Sequence, residues 1–144
     1  MQVGVLLQSK GTDVVSVVPD ATVSQVASVL TEHRIGAVVV TAEEGALAGI
    51  LSERDIVAAL ALRGAEVLGE SAGSLMSRRV VTCGPEATVE ELMATMTERR
   101  VRHVPVVVDG DLAGLVSIGD VVKHHIATLE HETQAMHDYI AHPY

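Results

Sequence analysis

Gly49-Ile50-Leu51-Ser52-Glu53-Arg54-Asp55 returns later in the chain as Gly114-Leu115-Val116-Ser117-Ile118-Gly119-Asp120. In both copies an apolar run ends in a serine, and an aspartate follows three residues on. Such a run reads as a strand entering a helix, with the serine as N-cap and the aspartate in the first turn. Free backbone N–H groups and the helix dipole favour negative charge there. The pair is also a capping box in its own right. Thr22/Gln25 and Thr88/Glu91 use the same device, but with Gln or Glu, whereas both copies here use Asp. A short carboxylate beside a hydroxyl suits a cis-diol, each carboxylate oxygen accepting one O–H in a charge-assisted bond. From the residues alone, capping and ligand binding stand level.

The repeat extends outward from this pattern. Pro19-Asp20-Ala21-Thr22-Val23 is matched by Pro85-Glu86-Ala87-Thr88-Val89, and Val3-Gly4-Val5-Leu6-Leu7 by Ala72-Gly73-Ser74-Leu75-Met76. The chain therefore divides into two units, residues 1–66 and 67–144, that share a core. In the first, a short apolar helix over Val3 to Ser9 precedes a strand over Val14–Val18. A helix from Val23 to about Arg34 follows, then strands over Ala37–Thr41 and Ala46–Leu51, and a helix from Ser52 to about Leu62. The second reads likewise, with strands over Val80–Cys83, His103–Val108 and Leu112–Val116. The order is βαββα twice, an α+β fold. Pro105 lacks an N–H, so its strand lies at an edge or leaves that side unpaired.

The last helix outruns its counterpart and continues to about Ala141. Val122, Ile126, Leu129, Thr133, Met136 and Ile140 alternate steps of four and three, the spacing of a helix–helix seam. This stripe either folds back on its own subdomain or meets a partner.

Composition narrows the function. The 144 residues carry a net charge of −9, which argues against nucleic acid or an anionic membrane as the main partner. Hydrophobic residues make up 48%, yet no apolar run approaches the roughly 20 residues of a membrane span. The N-terminus has neither a basic start nor a small-residue cleavage site, and Cys83 is alone, so a cytoplasmic location is expected. There is no Trp or Phe, and both Tyr lie in the C-terminal tail. A base bound in the body would sit between aliphatic side chains.

With its doubled G-h-h-S-x-x-D motif and βαββα order, the chain resembles the cystathionine-β-synthase (CBS) domain, and the tandem resembles a CBS pair, or Bateman module. The likeness runs over both halves, from about Val3 to His125. It implies two pseudo-symmetric clefts between the repeats that bind adenosine-containing nucleotides such as AMP, ADP, ATP, NAD(H) or S-adenosylmethionine. Asp55 and Asp120 would hold the ribose hydroxyls, with Ser52 and Ser117 capping the same helices nearby. The adenine slots would be formed by Val14 with Ile35, Gly36 and Ala37, and by Val80 with Val101, Arg102 and His103. The resemblance also implies a head-to-head, disc-shaped homodimer, which the C-terminal seam fits.

The phosphate side is asymmetric. Arg99, Arg100, Arg102 and His103 crowd the second repeat's strand entry, against His33 and Arg34 in the first, while Arg54 has Gly119 as its counterpart. Arg99 and Arg100 read as a helix end, where cations favour the dipole. Arg102 and His103 match family positions that reach phosphate. Two unequal sites are expected: the better one for anions uses Arg102 and His103, and the roomier one lies toward Lys10 and Gly11.

A catalytic role has less support, because no G-x-S-x-G turn occurs and both serines read as caps. No metal is expected either, since none of the seven His lie at i,i+3 or i,i+4 and there is no C-x-x-C. The expected function is a regulatory sensor with no catalytic cofactor, reporting to an unknown downstream protein. The competing reading is a constitutive dimerisation scaffold with empty clefts.

Overall fold

Val38, Val39 and Val40 are fully buried, as β-branched residues in a strand covered on both faces should be. They form the centre of a three-stranded sheet in the computed structural model, which describes residues 1–142. The elements of the first half are α1 (Val3–Lys10), β1 (Ser16–Val17), α2 (Val23–His33), β2 (Ala37–Thr41), β3 (Leu47–Ser52) and α3 (Glu53–Arg63). Then come α4 (Ala72–Leu75), α5 (Val89–Arg99), β4 (His103–Val108), β5 (Asp111–Ser117) and α6 (Ile118–Ala141). β1 runs parallel to β2, and β2 antiparallel to β3 with Val39 opposite Ile50. β4 and β5 repeat the hairpin, with Pro105 opposite Leu115. Asp109 and Gly110, both at positive φ, make its tight turn.

All four capping boxes form, at Thr22/Gln25, Ser52/Asp55, Thr88/Glu91 and Ser117/Asp120. Both hairpin-leading helices end on an arginine in the left-handed conformation, Arg34 and Arg100.

One expected strand is absent. Val80–Cys83 reduces to a single bridge between Cys83 and Val106, and β1 is itself shorter than Val14–Val18. The cause is Pro105. Its counterpart Val39 donates its N–H to Val15 at 3.4 Å, a bond that proline cannot make. What remains is Cys83 N–H to Pro105 O at 3.1 Å and Val107 N–H to Cys83 O at 2.9 Å.

In place of the single shared core expected from the repeat there are two, and they exchange helices. Val3, Leu6 and Leu7 of α1 pack with Val89, Leu92, Val104 and Val116 in the second half, whereas Ala72 of α4 packs with Val23, Val26 and Leu51 in the first. The docking bonds match: Gly4 N–H to Pro85 O at 2.9 Å, and Gly73 N–H to Pro19 O at 2.9 Å. This crossing explains the glycine that opens each repeated motif. A Cβ on Gly114 would fall 2.7 Å from the Leu7 side chain of α1. One on Gly49 would fall 2.6 Å from the Met76 sulfur and 2.7 Å from the Ser77 carbonyl oxygen, just past α4.

The apolar stripe of α6 does not fold back on its own body. Val122, Ile126, Leu129, Met136 and Ile140 are 48% to 72% exposed, and Val121 is the residue that enters the core. Among the described residues no helix is long and apolar enough to cross a membrane.

Candidate functional site

Asp55 sits where β3 turns into α3, held by the cap. Its Oδ2 accepts from Ser52 N–H at 2.9 Å and Ser52 Oγ at 2.9 Å, while its own N–H donates to Ser52 Oγ at 3.2 Å. Asp120 repeats this with Ser117 at 2.8, 2.9 and 3.2 Å. In neither residue does Oδ1 meet a donor among the described residues. One oxygen caps and the other is free for a ligand, so a diol would not find both oxygens open as expected.

The two carboxylates differ in one partner. Lys10, at the end of α1, places its ammonium 2.5 Å from Asp120 Oδ2 and also donates to the Leu115 carbonyl. Burial pushes the Asp120 carboxyl up, but hydrogen bonds from Lys10 and Ser117 outweigh it and hold the group below its ordinary value.

Each aspartate faces the other repeat. Asp55, Ser52 and Arg54 line a cavity of about 710 Å³ together with Val80, Val101, Arg102 and His103. Asp120 and Lys10 line one of about 360 Å³ with Val14, Ile35, Gly36 and Ala37. Gly36, Ala37, His103 and Ser117 belong to both. The residues that the resemblance assigns to ribose and adenine, together with Arg54 and Lys10, thus lie on one cavity or the other, while Gly11, His33 and Arg99 line neither. The expectation that the roomier cleft lies toward Lys10 is overturned, because the Lys10 side chain spans that cleft to reach Asp120.

The larger cavity is also the more cationic. Arg79 and Arg100 join Arg54 and Arg102 on its wall. Arg100 is the helix end that the sequence suggests, capping α5 with a left-handed φ of 55°, and it lines the cavity as well. Arg34, at the matching cap, lines the smaller cavity with Asp13. The equal spacing of Arg34 and Arg100 from their repeat starts was the signal available in the sequence. Arg79 carried none.

His103 stands between the cavities. Burial, with Lys10 and Arg102 nearby, lowers its pKa below the ordinary histidine value, against the opposing pull of Asp120 and Glu53. Cys83 is half-buried, and burial together with Glu86 pushes its thiol up, which suits a packed residue and not a reactive one.

Two capped aspartates facing crossed clefts between duplicated units, the second of which keeps a single bridge in place of its first strand, define a class of tandem-repeat cleft modules. The model of the CBS domain family matches residues 10–62 and again 72–126, so the chain belongs to the CBS domain family and carries a tandem pair. It is 37% identical over 125 residues to the mitochondrial CBS domain-containing protein CBSX3 of Arabidopsis thaliana. That match covers 84% of this chain and 61% of that protein, so the chain spans less than two thirds of it. It is 31% identical to the CBS domain-containing protein YhcV of Bacillus subtilis, with 81% of each covered. Among solved structures, a CBS-domain containing protein of Agrobacterium tumefaciens is 48% identical with a TM-score of 0.85, covering 87% of this chain and 99% of that one. The CBS domain pair of protein MJ0100, solved with 5′-methylthioadenosine and S-adenosyl-L-methionine, shares the fold at a TM-score of 0.79 and 23% identity, covering 89% and 98%.

Proposed function

We propose that this chain is a non-catalytic regulatory module that binds adenosine-containing nucleotides in its two clefts. One observation carries the reading: each capped aspartate keeps a free Oδ1 on a cavity whose opposite wall is an apolar slot of the other repeat. A ribose would hydrogen-bond the carboxylate while the base lies among Val80 and Val101, or Val14 and Ile35. Both volumes fall within the range of small-molecule sites, about 300–1,000 Å³. The adenosine ligands named for the MJ0100 pair support the ligand class.

Four arginines beside Asp55 favour a phosphorylated adenosine, AMP, ADP, ATP or NAD(H), in the larger cleft over the cationic S-adenosylmethionine. A ligand bridging the repeats would favour one arrangement of them by its differential affinity, and α6 would carry the change to a downstream protein. The module would act as a cytoplasmic homodimer. Thermal unfolding with each nucleotide tests this. A sensor gains about 2.7 kcal/mol at a hundred times Kd, while a melting curve that none of them shifts would leave the scaffold reading. The Lys10–Asp120 pair, which occupies one carboxylate from within, is the observation that favours a scaffold at the smaller cleft.

A further inference from the structure

From the exposed face of α6 we propose that its C-terminal half pairs with the same helix of a second copy as a parallel, in-register two-stranded coiled coil. This rests on the homodimer reading above and adds which segment closes the dimer and in which direction. The helix has 24 residues, and from Leu129 onward its described residues are exposed, so half of it stands clear of the body. Its apolar residues repeat at heptad spacing, with Ile126, Thr133 and Ile140 at the a positions and Val122, Leu129 and Met136 at d. Branched residues at a with Leu at d favour two strands.

The flanking residues choose the direction. In a parallel pair each g residue meets the partner helix's e residue five positions on. That sets His125 beside Glu130 and Glu132 beside His137, imidazole N–H donors against carboxylates. In an antiparallel pair e meets e and g meets g, which sets Glu130 against its own copy and Glu132 against its own copy. Like charges there are destabilising. Thr133 adds to this. In the parallel register the hydroxyls share one layer, whereas in the antiparallel one each is buried against Leu129.

The test uses the full chain carrying Cys83→Ala. Under mild oxidation, Ile126→Cys alone and Ile140→Cys alone should each give a disulfide-linked dimer. In an antiparallel pair the two sulfurs would lie roughly 15 and 27 Å apart at 1.5 Å per residue, and neither would link. Leu129→Gln with Met136→Gln should weaken the dimer in sedimentation by at least about 100-fold, from the apolar burial lost. Both positions are exposed, so the melting of the monomer should not change. A dimer of undiminished strength in that variant, with no cross-links, overturns the coiled coil and leaves the homodimer standing. A monomeric full-length chain at micromolar concentration overturns both.

Discussion

Asp55 and Asp120 cap their helices with the same hydrogen bonds, yet the clefts they serve differ about twofold in volume. The divergence lies outside the motif. Around Asp55 are four arginines supplied by three separate segments. Around Asp120 are a single arginine, Arg34, and one lysine, brought from the far end of the sequence, that engages the capping oxygen itself. A duplicated fold can thus keep its capped aspartate and still make two different clefts, because the walls come from residues the duplication left free to drift. On the proposed function, a nucleotide entering the Asp120 cleft must shift Lys10 aside, whereas at the Asp55 cleft no lysine engages the carboxylate.

The most forceful way to break this comparison is to remove the hooks one at a time. Asp55→Ala should lower nucleotide affinity at the larger cleft by about 10- to 100-fold, the loss of one charge-assisted hydrogen bond of about 1.5–3 kcal/mol. Asp120→Ala should cost less at its own cleft. Calorimetry giving equal losses would show that the clefts are equivalent after all. A second contrast concerns stability. Gly49→Ala drives a Cβ into the backbone oxygen of Ser77 and should cost about 1–3 kcal/mol of unfolding free energy. Gly114→Ala meets the Leu7 side chain and no backbone atom, and should cost less. Urea denaturation ranks the two.

Smaller still is Lys10→Ala. It should raise affinity at the smaller cleft by up to about fivefold, since a partly exposed ion pair is worth about 0–1 kcal/mol. A fall in affinity would instead make Lys10 a ligand contact. It should also reduce acid sensitivity, the part due to Ser117 remaining. The lowered Asp120 pKa contributes stability that is present above the ordinary carboxylate range and lost as pH falls through the lowered value. His103 gives the smallest effect. Its neutral form is favoured in the free protein, so the stability it adds is present above about pH 6.5 and fades as pH falls through its lowered pKa. A bound phosphate reverses that preference. Affinity should therefore rise a few-fold as pH drops below that range, and His103→Gln should flatten the rise.

Much of this was legible from local patterns. The serine and aspartate spacing fixed the caps of α3 and α6, and the offset of Pro19 and Pro85 fixed the repeat. The strand at Val80–Cys83 failed because its neighbour, Pro105, withholds one N–H; the edge position expected for the Pro105 strand is observed, and the cost to the strand alongside is the part not anticipated. The crossing of each aspartate to the other repeat, and the Lys10–Asp120 pair between residues 110 apart, depend on how the halves dock. No periodicity encodes that. Arg100 shows the limit well, since its place at a helix end is legible in the sequence and its place on the cleft wall is not.

The exchanged helices have a consequence for synthesis and unfolding. The first core cannot be completed until α4 has left the ribosome, and α1, made first, must wait for α5 and β4 before its apolar side is covered. Neither half can melt without stripping a helix from the other. Denaturation should follow one cooperative transition, and a chain severed near residue 66 should yield two fragments that each expose a bare groove and recover structure only when mixed.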